Sequence, residues 1–113
     1  MNKKIAALKI PLIFSSLFLF MSCSSQKYYL LIGTYTKTGS KGIYVYSFNA
    51  KDGTVKWISN TDSCTNPSFV IMSKDQKYLY AVNETNGPDP GRVSAYSFDK
   101  KNGRLHFLNT TLS

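Results

Sequence analysis

Two cysteines, one histidine and six carboxylates are the side chains of this 113-residue chain best suited to chemistry, and their placement already sorts them. Cys23 follows small Ser22 at the end of an apolar run, a setting in which a thiol is presented for acylation. Cys64 then has no partner within the chain, which excludes a disulfide framework and any cysteine-based zinc site. His106 is a single imidazole and builds no metal site alone. Cys64 therefore reads most simply as a small loop residue, with a reactive thiol as the less simple alternative.

The surroundings of Cys23 give its chemistry a purpose. Lys3, Lys4 and Lys9 form a positive leader, and the stretch 10–21 is uncharged and rich in Leu, Ile and Phe. This is the n-region, h-region and small-residue order of a secretory signal over residues 1–22. A run of about a dozen residues is short of the roughly 20 that a spanning helix needs, and Pro11 sits near its start. Phe20-Met21-Ser22-Cys23 has the form of a bacterial lipobox, in which Cys23 is lipidated and becomes the first mature residue. The plainer alternative is an ordinary signal peptide with an incidental cysteine. The expected location is the cell envelope, lipid-anchored, facing the periplasm or on the outer membrane.

The mature chain, Cys23 to Ser113, has 91 residues, enough for one small domain. Its formal charge falls from +8 to +5 once the three leader lysines are removed. The remaining cations are spread along the sequence at strand ends and turns, with no arginine-rich run, so a solvated surface is expected and no nucleic-acid partner. A modest attraction for anionic substrates is compatible with this charge.

Shifted by 50 residues, the chain falls on itself without a gap. Lys27-Tyr28 meets Lys77-Tyr78, Tyr46-Ser47-Phe48-Asn49 meets Tyr96-Ser97-Phe98-Asp99, and Lys51-Asp52-Gly53 meets Lys101-Asn102-Gly103. A period of roughly 40–50 residues filled with short strands is the signature of β-propeller blades. Residues 28–36, 43–48, 78–83 and 93–98 are rich in β-formers. Asp52-Gly53 and Asn102-Gly103 fit type I′ hairpin turns, and Asp75-Gln76 another tight turn. The second repeat (66–111) reads as four strands, 68–72, 78–83, 93–98 and 105–110, which make one blade. The first repeat (27–61) lacks its innermost strand. Trp57, Phe107, Phe48 and Phe98 recur at equivalent places and are expected in the core between blades. The expected fold is all-β, about two four-stranded blades of a larger ring. Two blades leave apolar edges unpaired, so the chain is expected to be an incomplete, N-terminal part of a propeller.

Three segments carry a family resemblance. Leu31-Ile32-Gly33-Thr34-Tyr35-Thr36 with Gly42-Ile43-Tyr44 is similar to the opening of the lactonase family of seven-bladed β-propellers. Asn66-Pro67-Ser68-Phe69-Val70 with Lys77-Tyr78-Leu79-Tyr80-Ala81-Val82-Asn83-Glu84 resembles its next blade, continued by Gly91-Arg92-Val93-Ser94-Ala95-Tyr96. The resemblance implies a 6-phosphogluconolactonase-like hydrolase of a sugar lactone that needs no metal or organic cofactor. The family's catalytic His, Arg and Glu belong to later blades, beyond Ser113, so the segment itself is expected to be inactive and His106 is not their match. The export signal sits more naturally with an unphosphorylated lactone.

Propeller geometry gathers a smaller set of residues here. Asn66-Pro67 enters the inner strand, Asn83-Glu84 closes the second, and residues 33–36 end the corresponding strand of the first repeat, all on the channel-mouth face with the loop 85–91. In lactone hydrolysis Glu84 can act on water or hold a sugar hydroxyl, and Asn83 or Asn66 can donate a hydrogen bond. The structural alternative is that these groups lock neighbouring blades together; Arg92 reads as a solvated charge rather than a phosphate ligand. A non-catalytic, envelope-anchored propeller serving as a binding scaffold is the competing function, since the fold hosts many. Replacement of the acylated residue tests the anchor: Cys23→Ala is expected to leave the protein soluble or unprocessed, read as loss from the detergent phase on phase partitioning.

Overall fold

The computed structural model describes residues 26–113; the leader 1–22 and Cys23 lie outside the described residues. Seven strands follow one another: β1 Lys27–Gly33, β2 Ile43–Asn49, β3 Val55–Asn60, β4 Pro67–Met72, β5 Tyr78–Asn83, β6 Arg92–Asp99 and β7 Arg104–Leu112. They form two antiparallel meanders, a three-stranded sheet β1-β2-β3 and a four-stranded sheet β4-β5-β6-β7. Among the described residues no strand of the first sheet corresponds to β4. Each sheet carries a bulge at the same place, between Val45 and Tyr46 and between Ala95 and Tyr96, so the two outer hairpins are related by the 50-residue offset down to their irregularity.

The inner hairpins do not keep that offset. Leu30 lies opposite Tyr46, whereas Leu79 lies opposite Tyr96. The structural match of Leu30 is therefore Leu79, 49 residues on, and ten residues separate the paired Val82 and Val93 where nine separate the equivalent pair Gly33 and Ile43. The gapless alignment is corrected accordingly. The correction matters because a one-residue slip moves every side chain of a strand to the opposite face.

The core lies between the sheets. Leu31 and Ile43 from the first meet Val70, Met72, Leu79, Ala81 and Tyr96 from the second, with Cys64 of the connecting segment among them. Tyr29 stands edge-on to Phe98 with ring centres 5.1 Å apart, and its hydroxyl donates to the Lys100 carbonyl at 2.8 Å. Phe98 is buried and Phe48 half-buried, but Trp57 and Phe107 are 61% and 56% exposed, against the expectation of a core role. Both sit on the outermost strand of their sheet, where the outer edge has no neighbouring strand in the sheet. Phe69, Ile71, Tyr78 and Tyr80 cover the face of the second sheet that points away from the first.

The turns also depart from the expected type. Gly53 and Gly103 have positive φ, but Asp52 and Asn102 do not, so neither hairpin closes on a two-residue type I′ turn. Each is a four-residue loop in which the glycine N–H bonds back to Asn49 or Asp99. Side chains wrap the loop: Asn49 and Asp52 accept from Lys51 and Thr54, while Asp99 and Asn102 accept from Lys101 and Arg104. The Ser73–Lys77 turn is as expected, with Gln76 at φ 57° and Asp75 accepting from Ser73 and Lys77.

Gly33 packs its backbone against the second sheet, since a Cβ there would lie 2.1 Å from the Pro67 carbonyl oxygen. The obstruction is backbone and cannot swing aside. Gly33→Ala is expected to destabilise the fold by about 1–3 kcal/mol, the usual cost of overpacking, measured as a lower midpoint of denaturant unfolding.

Candidate functional site at the channel-mouth rim

Residues that end β1, enter β4 and end β5 meet on one edge of the two sheets. Asn66 is the hub. It turns the chain into β4 with φ 42°, a left-handed conformation that Asn tolerates better than most side chains. Its carboxamide is buried and bonded at both ends: Oδ1 accepts from the Thr36 N–H at 2.9 Å and the Thr36 hydroxyl at 3.1 Å, and Nδ2 donates to the Glu84 carbonyl at 3.2 Å. The Glu84 N–H donates in turn to the Asn66 carbonyl at 3.0 Å. One side chain thus ties the end of the first sheet to the second and third entry points of the rim.

Asn83 is equally buried and equally occupied. Its Nδ2 donates to the Thr65 carbonyl at 2.7 Å and lies 3.2 Å from the Cys64 sulfur, while its Oδ1 accepts from the Ser94 hydroxyl at 2.6 Å. Cys64 is a buried free thiol in this network, closed to solvent. Burial, followed by the Cys64 thiol, pushes the Tyr96 phenol well up from its ordinary value. Among the described residues, every buried side-chain nitrogen and oxygen has a partner.

Glu84 differs. Its side chain is exposed, and its Oε2 accepts a 2.7 Å hydrogen bond from the Tyr35 hydroxyl across the two sheets. That bond, followed by one from Ser68, holds the carboxyl below its usual range, and Tyr35 is raised in return. The rim therefore presents one ionised carboxylate and one phenol to solvent above a floor of satisfied carboxamides. Convergence of Asn66, Asn83 and Glu84 follows from strand ends alone. Tyr35 belongs to the 33–36 segment expected on this face, and with the inner hairpin matched at 49 it is the first-sheet counterpart of Glu84; its bond to Glu84 had no signal in the sequence. Arg92 is exposed at the start of β6, and His106 is exposed on the outermost strand. Among the described residues no three metal-ligating side chains come together.

The family model for the seven-bladed β-propeller lactonases matches residues 29–113. The chain belongs to the lactonase family. Its two sheets are therefore propeller blades. A 6-phosphogluconolactonase of Formosa agariphila is 36% identical over 81 residues, which is 71% of this chain and 23% of the relative. A Bacteroides fragilis protein solved by crystallography is 44% identical with a TM-score of 0.72, over 79% of this chain and 24% of that one. A periplasmic gluconolactonase of Pseudomonas aeruginosa is 38% identical with a TM-score of 0.70, over 77% of this chain and 25% of its own. The chain thus spans about a quarter of the length of the lactonases it matches.

The Tyr35–Glu84 bond between blades has a direct readout. Tyr35→Phe removes the first cause of the depressed carboxyl, so Glu84 is expected to titrate at higher pH, measured by carboxyl ¹³C NMR. With its folded value below the unfolded one, Glu84 contributes stability above the unfolded pKa and loses it as pH falls through the folded pKa. In Tyr35→Phe that acid-side loss shrinks.

Proposed function

We propose that the protein hydrolyses a sugar lactone outside the cytoplasm, with the rim built by Asn66, Asn83 and Glu84 facing the substrate. Membership of the lactonase family over residues 29–113 carries this reading. In the reaction water adds to the lactone carbonyl, the ring C–O bond breaks, and the ring oxygen leaves as a hydroxyl. An ionised, solvent-facing Glu84 suits either orientation of that water or retention of a sugar hydroxyl. Tyr35 fixes the carboxylate in place, while Asn66 and Asn83 keep the rim rigid beneath it. The family's further reacting groups are expected in later blades, so residues 23–113 alone are expected to lack turnover. No cofactor is needed for this chemistry.

The leader and Cys23 support export and a lipid anchor in the cell envelope, and likeness to a periplasmic gluconolactonase agrees with export. An unphosphorylated lactone is the natural substrate in that compartment. Nothing in the relatives favours a non-catalytic scaffold. The test is lactone hydrolysis by the full-length protein, with glucono-δ-lactone compared against its 6-phosphate. Glu84→Gln is expected to lower kcat/KM by at least about tenfold, the loss of one charge-assisted hydrogen bond. Unchanged kinetics would remove Glu84 from the site.

A further inference from the structure

The cations that are scattered along the sequence are gathered by the fold. Lys27 opens β1 at the edge opposite the rim. The β2–β3 hairpin brings Lys51 and Lys56 to that edge, and the β4–β5 turn brings Lys74 and Lys77. The β6–β7 loop adds Lys100, Lys101 and Arg104. All eight are exposed. Lys27, Lys74 and Lys100 also line a cleft of about 470 Å³ between the sheets, with Tyr28, Tyr29 and Ser73.

Only three carboxylates share this face, and each is committed to its own turn: Asp52 to the Thr54 N–H, Asp75 to Ser73 and Lys77, Asp99 to the Lys101 N–H. The rim face carries Lys37, Lys41 and Arg92 against Asp62, Glu84 and Asp89, a balance of zero. The whole surplus of five positive charges in the mature chain therefore lies on one face. The chain enters the fold at that same face, and Cys23 precedes Lys27 by four residues. Such a tether reaches at most about 14 Å, within two Debye lengths of roughly 8 Å at physiological salt.

We propose that this lysine face docks on the anionic phospholipid leaflet that holds the Cys23 lipid, so that the rim with Tyr35 and Glu84 points away from the membrane. The orientation rests on the anchored reading above, whereas the charge attraction does not. Each cation held near an anionic leaflet contributes roughly a fivefold preference for it.

The test uses the full-length protein with its own leader, purified from membranes. It is mixed with vesicles of phosphatidylcholine alone or of phosphatidylcholine with phosphatidylglycerol. Binding is read by flotation, and lysine exposure by acetylation and mass spectrometry. Flotation on both vesicles, with Lys74, Lys100 and Lys101 acetylated several-fold more slowly only on the anionic ones and Lys37 and Lys41 unchanged, is the expected result. High salt should abolish the protection. The triple variant Lys74→Glu/Lys100→Glu/Lys101→Glu should float but lose the protection of Lys27, with its β-sheet circular dichroism intact. Flotation on anionic vesicles alone, with the same protection, supports the lysine face and rejects the lipid anchor. Flotation on both without lysine protection overturns the proposal, as does protection by a DNA oligonucleotide with none on vesicles.

Discussion

The carboxamide of Asn66 holds the two blades in one relation, and the rim follows from it. A left-handed residue is required where the chain leaves the first blade and enters β4. Glycine would meet that requirement but would leave the Thr36 N–H and the Glu84 carbonyl without a partner. Asn supplies both the conformation and the acceptor and donor that these groups need. In a buried position an unmet polar group costs about 1–3 kcal/mol, so the choice of residue is strongly determined. Gly33 completes the constraint by letting β1 approach the Pro67 carbonyl, which brings Tyr35 within reach of Glu84.

The strands and their order were legible because β-forming runs recur with turn residues between them. Register was not. Tyr28 and Tyr29 are a doublet, so Tyr78 has a tyrosine partner at an offset of either 50 or 49. Only strand pairing decides between them, and it places Leu30, not Tyr29, with Leu79. The matched faces then make sense: Tyr29 and Leu31, which pack against the second blade, correspond to Tyr78 and Tyr80, which cover its far face. That far face has the composition of a blade-to-blade surface. The turns were misread for a similar reason. Asp-Gly and Asn-Gly dipeptides suit a type I′ turn, but Asn49 and Asp99, each three places before the dipeptide, offer side-chain acceptors that wrap a longer loop.

At the site, convergence was legible and orientation was not. Strand ends fix that Asn66, Asn83 and Glu84 share an edge, because antiparallel neighbours begin and end together. Whether each side chain turns inward depends on which buried groups lack partners, and that is a property of the assembled blades. Asn66 and Asn83 are drawn in to satisfy backbone of the connecting segments. Glu84 is left outside, where its Oε2 accepts from Tyr35 across the blade boundary. A carboxylate in a buried place would have faced a desolvation cost far larger than one hydrogen bond returns.

The same separation explains the distribution of charge. Rim connections are longer, and their three cations, Lys37, Lys41 and Arg92, are matched by Asp62, Glu84 and Asp89. The opposite hairpins are short, and each is closed by one or two Asp or Asn acceptors. An aspartate used in this way keeps its charge but is fixed to backbone N–H groups, and the adjacent lysines project beyond it. Distributed over four chain segments, those lysines show no run in sequence. Antiparallel meander topology places every second turn on the same face, and so converts a dispersed pattern into a concentrated one.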